Sequence, residues 1–271
     1  MRRNPSGQYL SIAINSTAIY VISFLTVTSL VNLLRIFFAL HFDIQTTITF
    51  SKVTFLTYNG DWSPDSVKAV FGCPPLLSFL GGLCILILYL KVAFEKGLLR
   101  LLLIWMFCHF MAGFFGEMMV GTLLNQGLGF VILYLHIMDT GKMITILVGL
   151  TCLFGIGYLS TRIFLFSANT YFNSLTRQNR MPFVFSQFIF PIILGNGIID
   201  LVSIPSVSLY GILMNASIIV LFIPVILRGT RLTDMYFDDE PRTIRLAGHY
   251  LILAIILLSG LRIFLDHGIL T

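Results

Sequence analysis

The sequence predicts an all-α integral membrane protein, a polytopic bundle of about seven transmembrane helices with one re-entrant segment. Of its 271 residues, 57% are hydrophobic and only 11% are charged, whereas a soluble domain carries about 25% charged residues. Its apolar runs reach the length of about 20 residues that a helix needs to cross a bilayer. We therefore treat residues 1–271 as a single integral membrane domain.

Composition also bounds the partners and cofactors. The net charge of +5 does not indicate nucleic-acid binding, because the Lys and Arg residues lie between apolar runs, where membrane topology explains them. The four cysteines have no C-x-x-C spacing, so neither a zinc knuckle nor a redox pair is indicated. We expect no cofactor and no metal, and the lipid bilayer is the first partner.

The first span is predicted at residues 14–40, preceded by a basic N-terminus. The apolar run is longer than the core of a signal peptide, which is about 7–15 residues, so we interpret it as a membrane span. Residues 41–73 then form the longest polar stretch, an exoplasmic loop. Within it, residues 47–57 are rich in β-branched and aromatic side chains and predict extended structure. Asn59 and Gly60 predict a turn.

A short helix is predicted near the end of this loop. Ser63 is a candidate N-cap and Pro64 suits the first helical position, so the helix is expected over residues 64–71. Pro74 and Pro75 are expected to end it. We interpret the loop as an ordered lid on the membrane surface; a docking surface for a partner is the alternative.

Further spans follow where apolar runs recur. The third ends at Asn125-Gln126-Gly127, and residues 128–138 are then too short to cross a bilayer, which favours a re-entrant segment. Pro191 and Pro224 are expected kink points. Residues 228–245 form a charged cytoplasmic loop. Spans two to seven are predicted at residues 76–89, 101–124, 143–166, 182–202, from about 207 to 227, and 246–265.

The distribution of basic residues supports this topology. With the N-terminus in the cytoplasm, the basic loops at residues 91–100, 167–181 and 228–245 all fall inside. This agrees with the excess of Lys and Arg in cytoplasmic loops of inner-membrane proteins. An eight-span alternative, in which residues 128–138 cross the membrane, would place the last two of these loops outside.

Seven polar residues lie within or beside apolar runs and form the candidate site. Most should share one depth in the outer half of the bilayer, so we predict an intramembrane polar cluster in which opposite charges pair. The alternative is that each side chain simply reaches the headgroups from the end of its span. The predicted members are Arg35, His109, Glu117, Asp139, Lys142, Asp200 and Arg262.

A series of glycines accompanies these polar residues. Small residues allow membrane helices to approach closely, so we interpret the series as helix packing. No phosphate-binding loop of the form G-x-x-x-x-G-K-[ST] is present. The glycines are Gly113, Gly116, Gly121, Gly127 and Gly129.

No complete catalytic motif is present, and we expect a protein that is not an enzyme. His109 and Glu117 are eight positions apart, a rise of ~12 Å along a helix, so they cannot chelate one ion from one straight helix. The zinc motif H-E-x-x-H needs its histidines on one helix face. A metal site here would need His136 or Asp139 to fold back. No G-x-S-x-G motif supports serine hydrolysis.

Three functions remain open. The first is a structural or accessory subunit of a larger membrane assembly, with other membrane subunits as partners. The second is a small-solute or ion transporter whose polar site surrounds Glu117 and Asp200. The third is an atypical or degenerate intramembrane metalloprotease.

Three stretches carry a resemblance: SVKAVFGCPPLLSFLGGL, RLLLIWMFCHFMAGFFGEMMVGTL and NQGLGFVILYLHIMDTGK. They resemble uncharacterised polytopic membrane proteins of Bacteroidota, and cover about a quarter of the chain. His109, Gly116, Gly127, Gly129 and Phe130 are the matching positions. The resemblance implies an inner-membrane location and no particular activity. The helix with its re-entrant segment also resembles site-2-type metalloproteases, but this sequence lacks their H-E-x-x-H.

Overall fold

A computed structural model describes residues 5–57, 62–93, 96–237, 244–265 and 268–270. Eight helices run through these ranges, three of them containing a wider π-helical turn. They are α1 (Pro5–His41), α2 (Pro64–Lys91), α3 (Gly97–Leu124), α4 (Leu128–Tyr134), α5 (Asp139–Phe166), α6 (Arg177–Val202), α7 (Leu209–Gly229) and α8 (Gly248–Phe264).

Five short strands form two small sheets. The first sheet has the order β2-β1-β5 and is antiparallel throughout, and the second pairs β3 with β4. The strands are β1 (Thr46–Ile48), β2 (Val53–Phe55), β3 (Ser174–Leu175), β4 (Met235–Tyr236) and β5 (Ile269–Leu270).

The helices have the dimensions and surface of membrane spans. Six of those described are long and apolar enough to cross a bilayer, and α8 is a shorter apolar helix of 17 residues. Large apolar side chains face outward, as at Leu90 and Leu159, while Asn15 and Glu117 are buried. This inversion is expected where lipid is the solvent. The chain is a multi-pass membrane protein, and the predicted all-α transmembrane bundle is confirmed.

Contacts between the helices fix their directions. Tyr20 packs on Trp105, while Arg35 further along α1 reaches Glu117 further along α3, so these helices run parallel. Helices α1, α3, α6 and α8 share one direction, and α2, α5 and α7 run the other way. We call the end where the first group begins the basic face, since it carries residues such as Arg177. We call the opposite end, with β1, β2 and α4, the cavity face.

Helix α4 lies at the cavity face and does not cross the bundle. Helix α3 ends where Asn125 adopts a left-handed conformation with φ 51°, and Gly127 follows with φ 53°. Because α3 ends and α5 begins on this same face, α4 is the predicted re-entrant segment. Its helix is shorter than expected, ending at Tyr134 and not Met138, and α5 starts at Asp139, before the predicted residue 143.

The prediction that Pro74 and Pro75 end a short helix is wrong. Ser63 does cap the helix through a capping box with Ser66, but α2 then continues to Lys91. A proline ring collides with the carbonyl four residues earlier. Here a π-helical turn, Lys68–Gly72, widens the helix just before the prolines. A second such turn, Phe185–Ile189, precedes Pro191 in α6.

Two further boundaries differ from the predictions. Because α2 begins at Pro64, the polar loop after α1 is shorter than residues 41–73. Helix α6 begins at Arg177 and not at residue 182. Because the first turn of α6 is polar, a prediction from hydropathy alone leaves that turn out of the span. The predicted turn at Asn59-Gly60 lies outside the described residues.

The buried side chain of Arg180 joins several segments at the basic face. Arg180 is 1% exposed. Its guanidinium donates to the carbonyls of Gly229 and Leu232 at 3.0 and 2.6 Å, and pairs with Asp234 at 3.1 Å. It therefore joins the start of α6 to the end of α7 and to the segment that follows. Strands β3 and β4 pair beside this junction.

Candidate functional site

A cavity of about 1650 Å³ occupies the half of the bundle nearer the cavity face. Helices α1, α3, α6, α7 and α8 contribute to its wall, and the β1–β2 hairpin and α4 contribute at its outer end. Its lining runs from His109, near the middle of α3, to Lys52 in the hairpin. Binding cavities for small molecules are usually about 300–1,000 Å³, so this space is large enough for an amphipathic molecule.

A buried ion pair forms one part of the cavity wall. Arg35 Nη2 on α1 lies 2.5 Å from Glu117 Oε1 on α3. The same oxygen accepts the hydroxyl of Tyr210 at 2.5 Å, and Oε2 accepts the backbone N–H of Leu128 at 3.1 Å. Because both oxygens are occupied and the charge is compensated, this group is a polar junction of α1, α3, α4 and α7.

A second polar chain crosses from α1 to α6 and α7. The Tyr20 hydroxyl donates to Asn196 Oδ1 at 2.5 Å, and Asn196 Nδ2 donates to the Asn215 carbonyl at 3.0 Å. Asn215 Nδ2 then donates to Asp200 Oδ1 at 2.9 Å. The chain ends at a half-buried carboxylate on the cavity wall, which belongs to no ion pair among the described residues.

His109 lies at the deep end of the cavity. It is 8% exposed, and its Nε2 atom has no hydrogen-bond partner among the described residues. Its ring centroid lies 4.6 Å from that of Tyr20 and 5.5 Å from that of Phe24, both edge to face. All three rings line the cavity, so aromatic surface and one free polar atom meet at this end.

Below His109 the bundle is tightly filled by an aromatic plug, which we define as Trp105, Phe164, Phe188 and Phe222. Each of these side chains is 0% exposed. Neighbouring ring centroids within the plug lie 5.1–5.7 Å apart. The indole N–H of Trp105 donates to Ser16 Oγ at 3.0 Å, which fixes the ring. The plug separates the cavity from the basic face.

At the outer end, aromatic side chains line the cavity again. Phe55, Trp62, Phe71 and Phe130 form an aromatic lid, with ring centroids 5.1–5.5 Å apart. The Tyr134 hydroxyl on α4 donates to the Trp62 carbonyl at 2.8 Å. The prediction of ordered, partly extended structure in this loop is confirmed by the lid and the adjacent hairpin.

The predicted cluster members thus occupy different surroundings. Arg35 and Glu117 meet directly, and His109 and Asp200 line the same cavity. The other three lie at the same face of the bundle but outside the cavity lining. Asp139 is exposed in the first turn of α5, Lys142 donates to Asn125 Oδ1 at 3.2 Å, and Arg262 donates to the Ile204 carbonyl at 3.0 Å.

The glycine series lies at close approaches. A Cβ atom at Gly113 would lie 2.8 Å from Ser78 Oγ, and one at Gly116 would lie 2.6 Å from Ser217 Oγ. At Gly121 a Cβ would meet the Gln126 carbonyl at 2.8 Å, and at Gly129 it would collide with the Gly121 carbonyl. Gly127 combines its positive φ with contact to Glu117. Gly113 thus lets α2 pack closely on α3, and the other four glycines let α4 and α7 reach the Glu117 junction.

Sequence reasoning missed two residues of this region. No local pattern predicts a role for Tyr210, because a tyrosine near the end of an apolar span is common at membrane interfaces. Arg180 falls within the predicted basic loop at residues 167–181, which assigns it no further role. Its position inside the polar first turn of α6 was the available signal.

No family model, curated protein or solved structure matches the chain. Among the described residues, no group of three or more His, Cys, Asp and Glu side chains gathers as a metal site would require.

Proposed function

We propose that the protein is a membrane carrier that binds a small amphipathic solute in this cavity. One observation carries the proposal: a large, partly polar cavity lies in the half of the bundle nearer the cavity face, while the fully buried rings of the aromatic plug close the bundle between this cavity and the basic face. A carrier in one of its end states has this asymmetry, because its central site opens to a single side at a time. In the other end state, the aromatic plug would repack and the cavity would open to the basic face.

The orientation forms part of the proposal. We infer that the basic face is cytoplasmic and that the cavity opens to the exoplasmic side of a cell inner membrane. The support is the position of the basic residues, since Lys91, Arg177, Arg228 and Arg245 all lie at the basic face, as the positive-inside rule expects.

Alternating access can be tested without knowing the solute. Ser29 lines the cavity, and a cysteine there is close in size. The four native cysteines, Cys73, Cys84, Cys108 and Cys152, are first replaced by serine or alanine. Ser29→Cys is then exposed to a membrane-impermeant thiol reagent in right-side-out and in inverted vesicles. Leu30→Cys is the matched control. The Leu30 side chain, next to Ser29 in the sequence, is 46% exposed on the outer surface of α1 and should lie in lipid.

A carrier predicts labelling of Ser29→Cys in both vesicle types and little labelling of Leu30→Cys in either. Labelling from the exoplasmic side alone would show a fixed cavity and would overturn the carrier proposal.

The role as an assembly subunit stays a prediction, because no contact or surface among the described residues argues for it specifically. Native mass spectrometry on the protein extracted in mild detergent tests it. Additional protein mass at a fixed ratio would support a subunit, and the mass of this chain alone or of its homo-oligomer would count against one.

A further inference from the structure

We infer that the solute carries a positive charge, and that Asp200 is the residue that binds it. This inference rests on the proposed function and names the chemical class of the ligand: an organic cation with an apolar body.

The charge balance of the cavity points to a cation. Among the described residues, four Asp, Glu, Lys and Arg side chains line it: Arg35, Glu117, Lys52 and Asp200. Arg35 and Glu117 compensate each other, and Lys52 is exposed in the hairpin at the mouth. Within the part of the chain that the structure describes, the deeper cavity is therefore left with the single negative charge of Asp200. A charge within a membrane protein is costly unless it finds a partner, and a bound cation would supply one.

The hydrogen bonds of the two acidic residues distinguish a structural role for Glu117 from a ligand-binding role for Asp200. Glu117 is 2% exposed and accepts three hydrogen bonds, so it has little capacity left for a ligand. Asp200 is half-buried and accepts one hydrogen bond, from Asn215, among the described residues. One of its oxygens thus remains available to the cavity.

Aromatic rings and an unpartnered nitrogen provide the second, independent observation. His109 is more than nine-tenths buried, lines the cavity, and its Nε2 has no partner among the described residues. It packs with the rings of Tyr20 and Phe24. Tyr20 is joined to Asp200 through Asn196 and Asn215. A carboxylate and aromatic rings that line the same cavity are the combination that attracts organic cations, through charge and through cation–π contact.

Tetraphenylphosphonium is a suitable probe, and tetraphenylborate is its counterpart with similar shape and opposite charge. Equilibrium dialysis with the tritiated cation, on the purified full chain in mild detergent, measures the binding that unlabelled cation displaces. We expect saturable binding that Asp200→Asn weakens at least about tenfold. Asp139→Asn, which changes an exposed acid at the same face, should leave the affinity unchanged. Equal affinity of the cation for wild type and Asp200→Asn, or equally tight saturable binding of tetraphenylborate in a separate dialysis without the cation, would overturn the inference.

A second measurement keeps Asp200 intact, in case Asp200→Asn fails to elute as a folded protein. Tetraphenylphosphonium should slow the labelling of Ser29→Cys from the exoplasmic side, and tetraphenylborate should not. Equal effects of the two ions would overturn the inference. The two proposals can fail separately. One-sided labelling with retained cation binding would refute the carrier proposal and support the cation site. Two-sided labelling without cation binding would support the carrier proposal and refute the cation site.

Discussion

The Arg35–Glu117 junction predicts a specific loss of stability when its charge is removed. In Glu117→Gln the side chain keeps its size, but Arg35, which is only 20% exposed, loses its counter-charge. The new amide can also accept fewer bonds than the carboxylate, which takes three. Breaking a buried pair on one side costs about 3–5 kcal/mol. Since Arg35 keeps some contact with the cavity, we expect the lower end, about 3 kcal/mol.

Unfolding in mixed micelles, followed by the fluorescence of the two tryptophans, measures this change. The double variant Arg35→Met/Glu117→Gln is the internal control. It should cost about 2 kcal/mol less than the sum of the single variants, because the second change removes the unpaired charge that the first created. A change within about 0.5 kcal/mol for Glu117→Gln, or strict additivity, would refute the junction as we describe it.

Two further predictions concern packing away from the cavity. Arg180→Ala should lower the free energy of unfolding by about 3 kcal/mol and expose the basic-face loops to protease, whereas Arg177→Ala, at an exposed position, should change neither. Gly157→Ala should destabilise by about 1–3 kcal/mol, because its Cβ would collide with the Leu221 carbonyl, while Gly155→Ala has open space and should be neutral. Mixed-micelle unfolding and limited proteolysis check both pairs, and equal effects within either pair would contradict the packing.

The bundle follows from the sequence because hydropathy and local signals act over a few residues. The apolar runs predict the spans, and Ser63 with Pro64 predicts the start of α2. Prediction fails where local rules are overridden by neighbouring structure. The helix continues through Pro74 and Pro75 because a wider turn precedes them. Helix α6 starts early because its polar first turn is held by Arg180, a contact that depends on distant parts of the chain.

The candidate site can be predicted only in part from the sequence. Counting along alternating spans gives the depth of a residue, and this suffices to place Arg35 and Glu117 at one level. Depth does not give the direction in which a side chain points around its helix. That direction separates Asp200, which lines the cavity, from Asp139, which is exposed. Tyr210 completes the junction through a long-range contact that no local pattern signals.

The most direct test of the central claim measures, in one experiment, access to the cavity from both sides of the membrane and the charge of the molecule that binds there. Labelling of Ser29→Cys is followed from both sides of the membrane, with and without tetraphenylphosphonium. Our account predicts reaction from both sides and protection by the cation in both vesicle types, with no protection by tetraphenylborate. Reaction from the exoplasmic side alone, unaffected by the cation, would contradict it.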